Sequence, residues 1–434
     1  MSPTFRALRK HNYRLYLAGS VISNTGTWLQ RTAQDWLVLK PLHGGGTDLG
    51  IVTALQFLPV LLLTPYAGVV ADRFPKRRML QVTQLGMATA SFVLGMLALS
   101  GSAQIWMVYV LSFLFGVASS FDVPARQSFV SEMVGLDDLT NAVGLNSASF
   151  NTARIVGPAL AGLLIAVFGG GAAATGIVIL LNAFSYLAVI YQLQRMNAAL
   201  LFTPRARARG HGALMDGVRY VRTQPKMLFV LVLVFFAGTF GMNFQITSSM
   251  MATQVFGKGA GEFGILGSSL AIGSLCGALM AARRACIPLR LLAFAATGFG
   301  VAELIAGSLP TYAAFALFSP IIGFCTITLL NSSNATIQIE SEPAMRGRTM
   351  ALYVTVVQGG TPLGAPLIGW LGEAYGARWM LWIGGLLVLV GVVLAVALLA
   401  RLQGGRASVL TPLNRAGSLV DRVWDNQAVA RARK

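Results

Sequence analysis

Apolar residues fall in runs of about twenty, broken by short polar segments, along almost the whole chain. Twelve runs can be drawn, near 15–39, 47–71, 79–99, 105–128, 142–168, 173–194, 227–255, 263–282, 288–308, 312–338, 349–373 and 379–401. About twenty apolar residues coiled as an α-helix cross the hydrocarbon core of a bilayer. The pattern therefore predicts an all-α integral membrane protein with twelve transmembrane helices, and an even number of crossings returns both termini to one side.

The polar segments choose the side. Arg6 to Arg14, Arg73 to Arg78, Arg126, Arg195 to Lys226, Arg283 to Arg290, Arg346, Arg348 and the tail from Arg401 hold nearly all the bases on one face, whereas the other keeps Lys40, Lys258 and Arg378. Short loops rich in Lys and Arg stay in the cytoplasm, so both termini are expected there, in a multi-pass protein of the cell membrane. The longest interior polar segment, 195–226, divides the runs six and six. The expected organisation is an N-terminal half over 1–194, a central cytoplasmic loop over 195–226, a C-terminal half over 227–402 and a basic tail over 403–434. In that tail Leu419, Val423 and Trp424 suit a short helix on the inner leaflet. Weak internal repetition supports two halves: aligning 161–169 with 368–376 matches Gly162 with Gly369, Leu164 with Leu371 and Gly169 with Gly376.

Composition agrees. The 434 residues are 55% hydrophobic and 11% charged, with a mean hydropathy of +0.67, against about a quarter charged in soluble domains. A net charge of +18 would point a soluble chain toward nucleic acid. Here the bases lie between apolar runs, where they set orientation and meet anionic lipid, and no nucleic-acid partner is expected. Cys276, Cys286 and Cys325 lack metal-ligand spacing and read as small buried hydrophobes. His11, His43 and His211 lie outside the runs, and no Gly-x-x-x-x-Gly-Lys-[Ser/Thr] segment is present. No metal or cofactor is expected, and neither an enzyme nor an ATP-driven pump.

The stretch closing the second run reads Gly68-Val-Val-Ala-Asp72-Arg73-Phe-Pro75-Lys76-Arg77-Arg78. It resembles the loop between the second and third helices of the major facilitator superfamily, with Pro75 where that family often has Gly. Gly157-Pro158-Ala-Leu-Ala-Gly162 is similar to the fifth-helix Gly-Pro motif of its exporters. Residues 215–225, 153–158 and 346–348 resemble the branch containing the enterobactin-type siderophore exporters. The resemblance covers nearly the whole chain. It implies an alternating-access fold, a conformational gate at Gly68, Asp72, Arg73, Arg77, Gly157, Pro158 and Gly162, and an arginine of the fourth helix, Arg126, that communicates with Asp72.

Ionisable groups inside a span cost on the order of 2.5–3.5 kcal/mol each on insertion scales, so each is a functional candidate. Asn24, Trp28, Arg31 and Asp35 recur at steps of three and four and share one helical face. Arg31 and Asp35 can pair along that face. Burial favours a protonated carboxyl and a neighbouring guanidinium opposes it, which makes Asp35 the first candidate for proton coupling; a structural ion pair near the outer end is the alternative. Asp122 and Arg126 repeat the four-residue spacing around Pro124. Arg154, mid-span, needs an acid or carbonyls, with Asp122 the expected partner. Glu303 reads as reaching the outer interface near Ser308 and Pro310.

Phe240, Phe244, Thr247 and Met251 fall on one face of the seventh run and Asn331, Asn334 and Gln338 on one face of the tenth, with Gln56, Asn243 and Gln245 as further possibilities. Rings, thioethers and amides together suit an amphipathic small organic molecule. The expected function is a proton-coupled exporter of such a compound, a drug or siderophore on the resemblance, acting as a monomer. An importer or uniporter of the same fold is the alternative, and a membrane receptor or a lipid-modifying enzyme lies further off.

Overall fold

The computed structural model describes residues 3–135, 137–202, 213–282, 284, 287–342 and 345–402; side chains at 3–4, 64–65, 68–69, 71–72, 213–217 and 282 lie outside the description. The tail with Leu419, Val423 and Trp424 and most of the central basic segment are likewise outside it. The described residues form helices and turns without strands. In chain order come α1 (His11–Leu39), α2 (Gly46–Arg73), α3 (Lys76–Leu99), α4 (Ile105–Val134), α5 (Leu139–Val167) and α6 (Ala172–Arg195). A short amphipathic α7 (Ala213–Arg222) precedes α8 (Pro225–Phe236) and α9 (Phe244–Met250). The chain ends in α10 (Ala260–Ala282), α11 (Leu289–Ser308), α12 (Tyr312–Glu340), α13 (Arg346–Tyr375) and α14 (Ala377–Leu402).

Residues that resist helix stand at the boundaries. Pro75 caps α3 and Pro225 opens α8, positions that need no amide hydrogen. Gly135 and Gly376, at φ 73° and 101°, end α4 and α13 in the region that glycine enters without steric cost. Asp48 accepts from the Gly45 amide at 2.8 Å and closes the start of α2.

Among the described residues, ten helical segments are long and apolar enough to cross a membrane by length and composition. α1 and α13 are equally long and fall short of that apolarity. Each carries polar side chains through its middle: Gln30, Arg31, Gln34 and Asp35 on α1, and Thr355, Gln358 and Thr361 on α13.

The segment from Pro225 to Val255 departs from the continuous helix expected of the seventh run. Two π-turns, Ala237–Gly241 and Met251–Val255, flank α9, and the chain breaks at Met242 and Asn243. The Asn243 amide donates to the Thr239 carbonyl at 2.9 Å, satisfying one backbone acceptor at the break. Such irregular backbone inside a membrane protein occurs where protein or a cavity covers it.

Two bundles result. In the first, α1 packs on α5 and α6, α2 on α4, and α3 on α4 and α6; in the second, α12 packs on α10 and α11, and α14 on α8 and α11. The bundles meet along α2 with α13 and α5 with α10. Both seams run backbone to backbone, with Gly46 against Gly369, Gly50 against Ala365, and Gly162 against Ala260 and Gly264. Such contacts need small residues, since lipid tails are as apolar as leucine and helices hold together in a bilayer largely by close packing. The seam at the end away from the termini is closed further. The Thr47 amide donates to Glu373 at 3.0 Å, and Trp36 stacks on Phe263 with centroids 6.5 Å apart.

The end carrying the termini is tied differently, by charge within each bundle. Lys76 meets Glu132 at 2.6 Å, Lys226 meets Glu340 at 2.8 Å, Arg77 donates to the Gln194 carbonyl at 2.9 Å, and Arg6 pairs with Asp138.

Candidate functional site

Between the bundles lies a cavity of about 210 Å³. α1 contributes Trp28, Arg31 and Thr32, α2 Thr53 and Phe57, and α5 Arg154 and Pro158. The second bundle supplies Met242 to Ile246 and Ser248 from the broken segment, Phe263, Gly267 and Leu270 from α10, and Thr361 from α13. A larger cavity of about 330 Å³, between α10 and α12, is lined by Arg284, Asn331, Ser332 and Asn334 and belongs to one bundle alone. The smaller one is the better candidate, because both bundles wall it and two intramembrane arginines, Arg31 and Arg154, line it.

Trp28 organises its chemistry. The Arg31 guanidinium lies 5.0 Å from the Trp28 ring and 5.3 Å from the Phe57 ring, and Arg154 lies 5.6 Å from the same indole. Gly157 makes this possible, since a Cβ added there would sit 2.5 Å from that of Trp28. Cation–π contact is worth roughly 0.5–2 kcal/mol, which offsets part of the several kcal/mol of desolvation that a buried ion carries. The Arg31 Nε is buried without a hydrogen-bond partner.

Asp35 sits one turn farther along α1, buried at 5% exposure. Its Oδ2 accepts from the Gln245 amide at 2.6 Å. This corrects the expected pair along α1: among the described residues no ion pair within 4 Å joins Arg31 to Asp35. Gln245, from the other bundle, holds the acid, while aromatic rings hold the arginine.

The partner expected for Arg154 is also corrected. Asp122 is occupied by Arg126 at 3.0 Å, Thr83 at 2.9 Å and Gln84 at 2.8 Å, a buried cluster inside the first bundle. Arg126 further donates to the Ser20 hydroxyl at 3.3 Å and lies 5.9 Å from the Tyr16 ring. Gly68 and Asp72 fall where only the backbone is described, as part of α2, so the suggested Asp72 contact lies outside the described residues. Arg73 is exposed at the end of α2.

Of the neutral candidates, Trp28, Asn243, Phe244 and Gln245 line the cavity. Phe244 stacks on Phe315 with ring planes 7° apart. The π-turns rotate the rest of the expected face away. Phe240 packs on Phe236 at 5.9 Å, and Thr247 and Met251 are buried within the second bundle. Asn24 meets Ser149 at 3.5 Å. Asn331 and Asn334 line the larger cavity, where Gln338 donates to Asn334. Glu303 is likewise displaced from its expected place at an interface. It is buried at 2% exposure near Gly384, and its Oε2 has no hydrogen-bond partner. Phe57, Thr53 and Thr361 are lining residues that the sequence did not single out.

Residues 2–428 match the model of a family described as transmembrane secretion effector. The staphyloferrin A transporter of Staphylococcus aureus is 25% identical over 62% of this chain and 66% of its own length, under two thirds of that relative. The multidrug efflux pump Tap of Mycolicibacterium fortuitum is 27% identical over 83% of this chain and 89% of its own. In backbone the chain is similar to a bacterial homolog of the human lysosomal transporter Spinster, with a TM-score of 0.69 and 14% identity over 93% of this chain and 100% of that one. With two bundles, glycine-lined seams and a family match over nearly its full length, the chain belongs to the transmembrane secretion effector family of the major facilitator superfamily.

Proposed function

We propose that the protein exports an amphipathic organic molecule across the cell membrane in exchange for protons, by rocking its two halves about the central cavity. The carrying observation is the bond from Gln245 to Asp35 at 2.6 Å, because it makes one titratable group a tie between the halves. An ionised Asp35 accepts strongly from the amide, as charged acceptors do. Protonation weakens that acceptor, and with it the tie. Rocking must break the contact, so the charge on Asp35 and the separation of the halves are linked.

The base-rich end is taken as cytoplasmic, with both termini there. The closed seam at the opposite end then corresponds to a state shut toward the outside. The glycines and proline of α5, with the α2–α3 turn, are the elements about which the halves would move. The efflux functions named for relatives support the outward direction, and ring-lined walls support an amphipathic cargo.

Efflux of a substrate panel from everted vesicles at two external pH values tests this. Asp35→Asn keeps an acceptor for Gln245 and removes the charge, so it should abolish pH-driven accumulation while leaving downhill exchange of cargo in place. Undiminished pH-driven accumulation by Asp35→Asn would refute the assignment.

A further inference from the structure

Among the described residues, the lining of the central cavity holds two guanidiniums and no acidic side chain. The nearest acid, Asp35, lies one turn away, is held by Gln245, and among the described residues forms no ion pair within 4 Å with Arg31 or Arg154. Of the other buried acids of the first bundle, Asp122 is committed to Arg126 and Asp138 to Arg6. Both cavity arginines flank one indole ring, and ring contact alone does not offset a buried guanidinium. Arg31 and Arg154 repel each other, and the single acid nearby, Asp35, leaves the pocket with a net positive charge that a bound anion relieves. Around the two arginines the walls mix neutral polar groups, such as Thr53, Asn243 and Thr361, with aliphatic side chains and the rings of Phe57, Phe244 and Phe263.

We propose that the cargo is an organic oxyanion, its charged group received between Arg31 and Arg154 and its apolar body laid against those three rings. Guanidinium suits this, since its planar fork of donors matches a carboxylate or phosphate in two parallel hydrogen bonds. The inference rests on reading this cavity as the cargo site, and it goes beyond that reading by assigning the sign of the cargo's charge.

Isothermal titration of the purified full-length protein tests it with four probes that share one body: 1-naphthaleneacetate, 1-naphthyl phosphate, neutral 1-naphthaleneacetamide and 1-naphthylmethylammonium. The acid is expected to bind at least tenfold more tightly than the amide, and the ammonium more weakly than either; the order of acetate and phosphate tells which oxyanion the fork prefers. Arg31→Gln and Arg154→Gln should each weaken the acetate tenfold or more and move the amide less than twofold, and Arg154→Lys should recover part of the loss. The amide is also the control for folding, and if a variant loses it, the wild-type series decides. Acetate binding no tighter than amide, tighter binding of the ammonium, no acetate binding at millimolar concentration, or glutamine variants that leave the acetate unchanged would each overturn the proposal. Because this is an equilibrium measurement, it stands apart from proton exchange: acid-selective binding with pH-independent transport would refute the exchange and leave the anion site intact.

Discussion

Replacing Gly369 by alanine places a methyl group against the backbone of α2, where it would run into the Gly46 carbonyl oxygen and lie 2.7 Å from the carbonyl carbon and 3.3 Å from the Thr47 nitrogen. Both neighbours are main chain, so no flexible side chain can swing aside, and α2 and α13 must move apart. Overpacking of this kind costs about 1–3 kcal/mol. The cost falls on the state in which this seam is closed and vanishes once the halves part there, so it enters as a difference between two states. A difference of that size shifts their ratio by about 5- to 150-fold. Double electron–electron resonance between spin labels at Lys40 and Gln254, one on each half at the sealed end, would read the shift after Cys276, Cys286 and Cys325 are changed to serine. Gly369→Ala should show a longer-distance population that grows over the parent. Gly171→Ala, where an added Cβ meets nothing within 4 Å, should not. A lowered melting temperature with an unchanged distance distribution would mean that both states bear the cost, and the reasoning from the seam would fail.

Two further outcomes concern buried charge. Asp122→Ala strips the counter-ion from Arg126 and should cost about 3–5 kcal/mol, read as a fall in the thermal unfolding midpoint in detergent; adding Arg126→Met should return much of it. Glu303→Leu removes a buried acceptor without a partner, whose desolvation costs about 1–3 kcal/mol, and should raise the midpoint; a lower midpoint would mean that Glu303 has a stabilising contact beyond those described.

The fold was legible because span length governs it: apolar runs near twenty residues, bounded by Pro75, Gly135, Pro225 and Gly376, align with the long helices. The interrupted segment was not legible. From Met227 to Phe236 every residue is apolar, so no period marks the π-turns at 237–241 and 251–255. A π-turn adds a residue to the turn and rotates everything after it by about 100°, which is why Phe244 reaches the cavity and Phe240 and Met251 do not. Spacing was an equally partial guide to charge. Asp122 with Arg126 and Arg31 with Asp35 share the four-residue step, and only the first forms an ion pair. The step permits a contact, and neighbours decide it. Thr83, Gln84 and Ser20 hold the first pair together, while Trp28, Phe57 and Gln245 draw the second apart. Those neighbours come from other helices, and nothing local in the sequence points to them.

The same three groups fix what the membrane potential should do. Arg31, Arg154 and an ionised Asp35 leave the empty site with one net positive charge. A singly charged organic acid neutralises it, so under the two proposals the loaded carrier turns outward nearly neutral. The return leg, with Asp35 protonated and the cargo gone, carries two positive charges inward. An interior-negative potential does work on that leg alone, about 2.3 kcal/mol per charge per 100 mV. With one proton exchanged per cargo, collapsing 100 mV should lower the steady-state gradient of a neutral cargo about 50-fold and that of a monoanion by about the square of that factor. Proteoliposomes held at a fixed pH gradient, with the potential set by valinomycin and potassium, allow 1-naphthaleneacetate and its amide to be compared directly. Equal voltage dependence for the two would show that no negative charge leaves with the cargo. An anion held between Arg31 and Arg154 while Asp35 stays ionised could not then be the species that crosses.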